Sequence, residues 1–390
     1  MGRRAVVLLI VLAILAAACS SDSSEDAAPD TTVAPAPSTA PPTTQAPTTT
    51  TSTTTTTTTT LPVPEAETDV EVLAAYVESQ SGIEFPPGVA SIVETTHEET
   101  DLGIDPGWFI REELWALFVS LGMIDPEADR ITAGQARLDQ VRGVCCPVYL
   151  FEQPDHPLLT SMVAVHELAH LLDREREFRA AGPQDEPLNF DSVVLEGNAQ
   201  RVAYAYRAEL IAAGADLSMF DLDWTDPRIP PVIIEVLEFA YEEGADFTIA
   251  LHERGGLELV EETFLRPPAT SEQVLEIDAY LADEPAAEVA APSLPDTAAP
   301  ILDGSMGAFV LRLIIEGAIG VEAAGELVEA WAGDRYVLYE DAGVSCISAR
   351  VELDDAVAAE GIAEALVLSG YEPVVDDTGT GVALSHCAGV

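Results

Sequence analysis

The clearest pattern of apolar and polar positions in this chain is helical. In "LLTSMVAVHELAHLLDREREFRAAG", Met162, Val163, Val165, Leu168, Ala169 and Leu171 leave almost no polar face, and His166, Glu167 and His170 interrupt them. A segment apolar on nearly every side predicts a buried helix, and Gly182 with Pro183 supplies a stop signal. Downstream, "FDSVVLEGNAQRVAYAYRAELIAAGAD" carries Leu195, Ala199, Val202, Tyr206 and Leu210 at spacings of four, three, four and four. That period predicts a second helix, with Asp191 or Ser192 as its cap. Glu196 lies beside this apolar stripe instead of opposite it. Gly197 costs the helix ~1 kcal/mol relative to alanine, which implies that another backbone or a metal ion passes close.

The remaining pattern is of shorter elements. Residues 65–143 read as short helices and turns, with Trp108, Phe109, Leu114, Leu117 and Phe118 as a buried face. "PPVIIEVLEFAYEEGADFTIALHERGGLELVEETFL" alternates helical periods with glycine stops, and "RPPATSEQVL" is a turn feeding a helix capped by Thr270 or Ser271. Towards the end, "RYVLYE", "VSCISARVEL", "YEPVVDD" and "GVALSHCAG" predict strands. Between them "DDAVAAEGIAEALVLSG" predicts a helix begun by Asp354 or Asp355 and ended by Gly370. The expected fold class is therefore α+β and mainly helical, with a main domain at 65–331 and a small C-terminal α/β subdomain at 332–390.

The N-terminal pattern is different in kind. Arg3 and Arg4 precede an uncharged apolar run, Ala5–Ala18, that is short of the ~20 residues a membrane-spanning helix needs. It reads as a secretion signal at 1–19. Ala16, Ala17 and Ala18 before Cys19 resemble the processing site of bacterial lipoproteins, although that pattern prefers leucine where Ala16 stands. Cys19 is thus expected to carry lipid, with simple secretion as the other reading. Residues 20–64, rich in Thr and Pro, have almost nothing apolar to offset the entropy of ordering and read as a disordered tether.

Composition narrows the partners. All 17 basic residues are arginine, against 68 Asp and Glu, for a formal net charge of −51 at pH 7. So acidic a chain repels nucleic acid and anionic headgroups, so the only membrane contact expected is the lipid anchor. Besides Cys19 there are Cys145, Cys146, Cys346 and Cys387. An exported location suits disulfides; Cys346 with Cys387 is the favoured pair, since both fall in strand-like runs. The neighbours Cys145 and Cys146 leave three options open: a small strained ring, other pairings, or thiols donating to a metal.

Candidate chemistry centres on "HELAH". Residues four apart on a helix point the same way, so His166 and His170 can reach one metal ion, while Glu167 points beside it as a general base for water. A catalytic zinc needs three protein ligands and an open position, and Glu196 is the candidate third ligand. His97, His156 and His252 read as surface or local structural residues.

"HELAH" followed on the next helix by "EGNA" resembles the gluzincin zinc metallopeptidases, and more closely a set of bacterial metallopeptidase-like lipoproteins. "YVESQSGIEF", "LGMIDPE", "GVCCPVYLF", "FAYEEGADF", "GGLELVEETFLRPPATSEQVL" and "WAGDRYVLY" extend that resemblance along 65–390. It implies a zinc peptidase core with His166, His170 and Glu196 as ligands to Zn2+ and Glu167 as the catalytic base. It also implies that "GVCCPVYLF" is a hairpin edging the substrate cleft, and opens an oxyanion-binding role for Tyr241, which otherwise reads as a core aromatic. Two departures stand out: Gln200 replaces an acidic residue that orients the first histidine, and Cys145–Cys146 replace an aromatic and an acid. Asp334 and Arg335 read as a buried pair, with substrate-carboxylate binding by Arg335 as a lesser option. The function implied is peptide hydrolysis at the cell envelope on a peptide or protein substrate, by a lipid-anchored or secreted protein. The alternative is a catalytically inactive peptidase-fold lipoprotein acting as a binding or scaffold protein.

Overall fold

The computed structural model describes residues 13–16, 69–96, 103–151, 157–181, 185–215, 217 and 226–388. Most of the expected signal, Cys19, the tether at 20–64, His97 and His156 lie outside the described residues. In chain order the first elements are β1 (Ala13–Ala16), α1 (Val70–Ser81), β2 (Ile92–Thr95), α2 (Glu112–Ser120), α3 (Arg130–Leu138), β3 (Val141–Cys145) and β4 (Val148–Phe151). Then follow α4 (Pro157–Asp173), α5 (Phe190–Ala212), α6 (Pro231–Phe239), α7 (Glu243–Gly255), α8 (Leu257–Leu265), α9 (Ser271–Leu275) and α10 (Ile277–Ala282). The chain closes with β5 (Ala299–Gly304), α11 (Gly307–Ile319), α12 (Val321–Val328), β6 (Trp331–Asp341), β7 (Val344–Leu353), α13 (Ala356–Leu368), β8 (Val374–Val375) and β9 (Gly381–Cys387). The fold is α+β. None of the described helices is long and apolar enough to cross a membrane.

Two hydrophobic cores meet at α5. On one side Ala199, Val202 and Tyr206 pack with Leu73 and Val77 of α1 and with Val163, Leu168 and Leu172 of α4. On the other, Val193 and Val194 join a larger core that includes Phe118, Phe239, Phe309, Trp331 and Ile347. A helix gripped on both sides has little freedom to slide, so residues on α5 are held firmly against α4. The small sheet runs β1–β3–β4–β2, with β3 and β4 as an antiparallel hairpin before α4; β1 falls within the expected signal, so processing at Cys19 would leave β3, β4 and β2. The larger sheet runs β5–β6–β7–β9–β8 and is antiparallel throughout. It takes β5 from before residue 332, and its Trp331 and Ile347 share a core with helices of the 65–331 region.

Several local expectations change on contact with tertiary structure. Helix α4 ends at Asp173, well before Gly182, because the buried Asp173 carboxylate accepts Nε of Arg176 at 2.8 Å and both oxygens accept Nδ2 of Asn198 at 3.0 Å. The cap of α5 is Asn189, whose side chain accepts the Ser192 N–H; Asp191 turns away to accept the Ala181 N–H at 2.6 Å. Trp108 is 52% exposed instead of joining the buried face of Leu114, Leu117 and Phe118. Asp334 and Arg335 do not pair with each other. Asp334 is buried under N–H groups of Met306, Gly307 and Trp331, while Arg335 reaches outward to Asp185 and Asp303. Thr270 and Asp355 cap α9 and α13, within the pairs expected.

Cys346 and Cys387 face each other across β7 and β9 and form a disulfide. Cys145 and Cys146 are bonded to one another at the end of β3.

Glu186 gives the fold a pH signature. Its buried carboxylate accepts the Ser271 N–H at the start of α9, yet burial pushes its pKa up from 4.5 to about 8. The unfolded chain ionises this group near 4.5 and the folded chain only near 8. Its contribution to stability is therefore fully present below about pH 4.5 and is lost as the pH rises towards 8. Urea unfolding of the wild type against Glu186→Gln should show the variant gaining steadily over that window. A gap independent of pH would contradict burial of Glu186 as a neutral acid.

Candidate metal centre

The helical repeat places His166 and His170 on one face of α4, and α5 packs across that face. Nε2 of His166 and Nε2 of His170 lie 2.9 Å apart, and Oε2 of Glu196 is 3.3 Å from the first and 3.1 Å from the second. All three residues are buried, and among the described residues they form the cluster able to hold a metal. Three donors at ~2.0–2.1 Å from one tetrahedral ion stand ~3.4 Å apart, so the observed triangle needs only slight expansion. Two imidazoles and a carboxylate are a donor set that zinc accepts readily. Among the described residues the cysteines take no part, since Cys145 is paired with Cys146 and Cys346 with Cys387.

Gln200, one turn beyond Glu196, fixes the tautomer. Nδ1 of His166 donates to Oε1 of Gln200 at 3.0 Å, which leaves Nε2 as the lone-pair nitrogen facing the other two groups. The neutral amide does this without adding a charge. The electrostatics of the three groups are strongly coupled. Burial pushes His166 down to about 4. Burial also lowers His170, but the Glu196 carboxylate overrides it and carries His170 up to about 9. Burial raises Glu196, yet His170 and the hydrogen bonds from both imidazoles hold it down to about 2. At neutral pH the protein alone thus places one imidazolium beside one carboxylate; a divalent cation would displace the His170 proton and then meet two lone pairs and a negative charge.

Glu167 is fully buried, and neither carboxylate oxygen has a hydrogen-bond partner. Burial pushes its pKa well above the ordinary carboxylate range. An unpaired buried carboxyl costs several kcal/mol, a cost with no structural return among the described residues. Gly143 of β3 explains how the strand passes over it: a Cβ there would stand 2.4 Å from Oε1 of Glu167 and 2.6 Å from Val163.

A second network pins the helices beside the triad. Asn198 donates to Asp173, and Arg201 donates to Oδ1 of Asn198 at 2.9 Å. The close approach inferred at Gly197 is that of α7: a Cβ on Gly197 would lie 2.3 Å from the carbonyl oxygen of Gly244, and the Thr248 hydroxyl donates to the Gly197 carbonyl. Another backbone, not a metal ion, demands that glycine.

A cavity of about 390 Å³ borders the centre, lined by Glu196, Tyr241, Arg137, Trp108, Phe109 and Leu237 among others. Tyr241 stacks near His166, with ring centroids 6.2 Å apart and planes 26° apart, so it belongs to the site's wall as much as to the core. His252 is exposed on α7, and Arg335 is engaged elsewhere as described above. Sequence reasoning missed Gly143 and Arg137. Gly143 left a signal, a glycine inside a strand pattern; Arg137, one charged residue in a short helix, left none.

Comparison with family models, curated proteins and solved structures gives no match. The chemistry of the site therefore has to be argued from its own geometry.

Two measurements probe the construction. Gly197→Ala should lower unfolding stability by about 1–3 kcal/mol in urea titration, because the facing atom is rigid backbone; a neutral effect would mean α5 and α7 are not so close. Gln200→Leu should weaken zinc affinity by about 10- to 100-fold in a competitive chelator titration, and unchanged affinity would remove Gln200 from the site.

Proposed function

We propose that this protein is a zinc-dependent peptidase of gluzincin type, working outside the cytoplasm and either held to a membrane by lipid on Cys19 or secreted. The observation that carries the reading is the convergence of His166, His170 and Glu196 beside a buried, unpartnered Glu167. Structural metal sites close themselves with four protein ligands, whereas three ligands with an unsatisfied carboxylate nearby is the arrangement hydrolysis needs.

Zinc bound by these three residues would supply Lewis-acid polarisation and lower the pKa of a water molecule. The chain's own groups perform the proton traffic. Glu167 takes the proton of the attacking water at its carboxylate as the C–O bond forms, and returns it to the amine nitrogen as the C–N bond breaks. Burial favours the neutral form of Glu167 in the metal-free protein, and the charge of a cation on the triad would lower its pKa so that the carboxylate can take that proton. Gln200 keeps the His166 ring oriented throughout, and the α4–α5 network holds the two helices in register. Tyr241, on the cavity wall beside His166, would meet charge developing on the substrate carbonyl. With a net charge of −51, a nucleic acid substrate is disfavoured and a peptide is the natural one.

One observation favours a second reading, a metal-binding scaffold that retains the fold without turnover. Glu167 is 0% exposed, and the cavity wall includes Glu196 but not Glu167. Glu167→Gln separates the two readings. For the peptidase it should cut kcat on a peptide library by about 100- to 10,000-fold with zinc still bound at one ion per chain. Equal turnover by both proteins would sink the mechanism, and no hydrolysis by zinc-loaded wild type would favour the scaffold.

A further inference from the structure

Arg137 sits near the end of α3, is 4% exposed, and lines the same cavity as Glu196. Among the described residues its guanidinium has no ion-pair or hydrogen-bond partner; Glu196, Glu238 and Tyr241 act on it only through space. Its neighbours differ. Arg130 on the same helix donates to the carbonyls of Gly107 and Ile110, and Arg111 on the cavity rim faces Glu113. In a chain with 68 acidic residues, a buried arginine without a carboxylate is not short of candidates. Its nitrogens are not among the sealed, unpartnered polar atoms, so the guanidinium opens on the cavity, where an anion can pair with it.

Nearby acids favour its charged form only through space, and no described acid forms an ion pair with it. Burial, and then Glu242, pushes Glu238 up to about 8, so that residue is largely uncharged at neutral pH. Glu196 is committed to the metal-binding triad. Apart from the exposed Arg111, which faces Glu113, and the polar Asn189 and Ser192, the rest of the wall is largely apolar and aromatic, including Trp108, Phe109, Leu114, Leu237 and Phe239. Its volume of about 390 Å³ is at the low end of the ~300–1,000 Å³ range of small-molecule sites, suited to one or two residues and not to an extended chain.

We infer that Arg137 receives the terminal carboxylate of a peptide substrate, and that the protein removes C-terminal residues with large apolar side chains. This rests on the peptidase reading above and narrows it from peptide bonds in general to the last bond of a chain. The guanidinium offers the bidentate donor pair that a carboxylate matches, and the apolar wall takes the side chain next to it. Arg137 is then a specificity-determining residue, and the leaving amine that Glu167 protonates belongs to a free amino acid.

The test uses zinc-loaded wild type and Arg137→Gln with a peptide ending in -Gly-Gly-Phe, as the free acid and as the amide, read by mass spectrometry and calorimetry. Wild type should release phenylalanine from the acid and cleave the amide slower by on the order of 100-fold in kcat/KM. Arg137→Gln should lose that preference while retaining its zinc and circular dichroism spectrum. Equal cleavage of acid and amide by the wild type, or a preference unchanged in the variant, would overturn the assignment. If neither peptide is cut, calorimetry still decides: acid bound more tightly than amide, with the difference lost in Arg137→Gln, upholds the carboxylate site and discards the peptidase reading. Equal binding of the two discards the site.

Discussion

The structure depends on burying together three polar side chains that could not be buried apart. His166, His170 and Glu196 lie in the interior where α4 crosses α5, at mutual distances of 2.9–3.3 Å. Each alone would cost several kcal/mol to desolvate; jointly they share charge, and a cation would complete the balance. That convergence needs α5 to be fixed, which explains why it is gripped by two hydrophobic cores and tied to α4 through Asp173, Asn198 and Arg201. It also needs close backbone contact. Gly197 lets α7 approach α5, and Gly143 lets β3 pass over Glu167.

Much of the centre was legible in the residues because its geometry is local. His166, Glu167 and His170 lie within one turn and a half of a single helix, and Glu196 belongs to the next one, so a helical period was enough to bring them to a common face. The Gln200 contact with His166 was expected from the resemblance to gluzincins and not from the period. What escaped was set by distant packing. Arg137 reaches the cavity through the way α3 docks, Trp108 is turned outward by the same cavity, and α4 stops at Asp173 because of partners on its own turn and on α5. The C-terminal strands and the Cys346–Cys387 bridge were visible in alternation and spacing, whereas the recruitment of Ala299–Gly304 into their sheet was not. A single edge strand of mixed composition carries little local signal.

Charge gives the site a consistent logic. A chain with 68 acids and 17 arginines offers little attraction to an anionic ligand, so recognition of one has to be built locally. The carboxylate site proposed above would do this with a single buried guanidinium in a largely apolar wall, beside a triad whose carboxylate suits a cation. The two features, the triad proposed for a metal and the guanidinium proposed for a substrate terminus, border the same space without forming an ion pair.

The central claim is the identity of the ligands, and zinc K-edge X-ray absorption on the metal-loaded protein tests it most directly. The expected spectrum shows two imidazole shells and light oxygen scatterers at ~2.0–2.2 Å, with one imidazole shell lost in His170→Ala. A sulfur shell at ~2.3 Å, or a spectrum unaltered by that substitution, would contradict it.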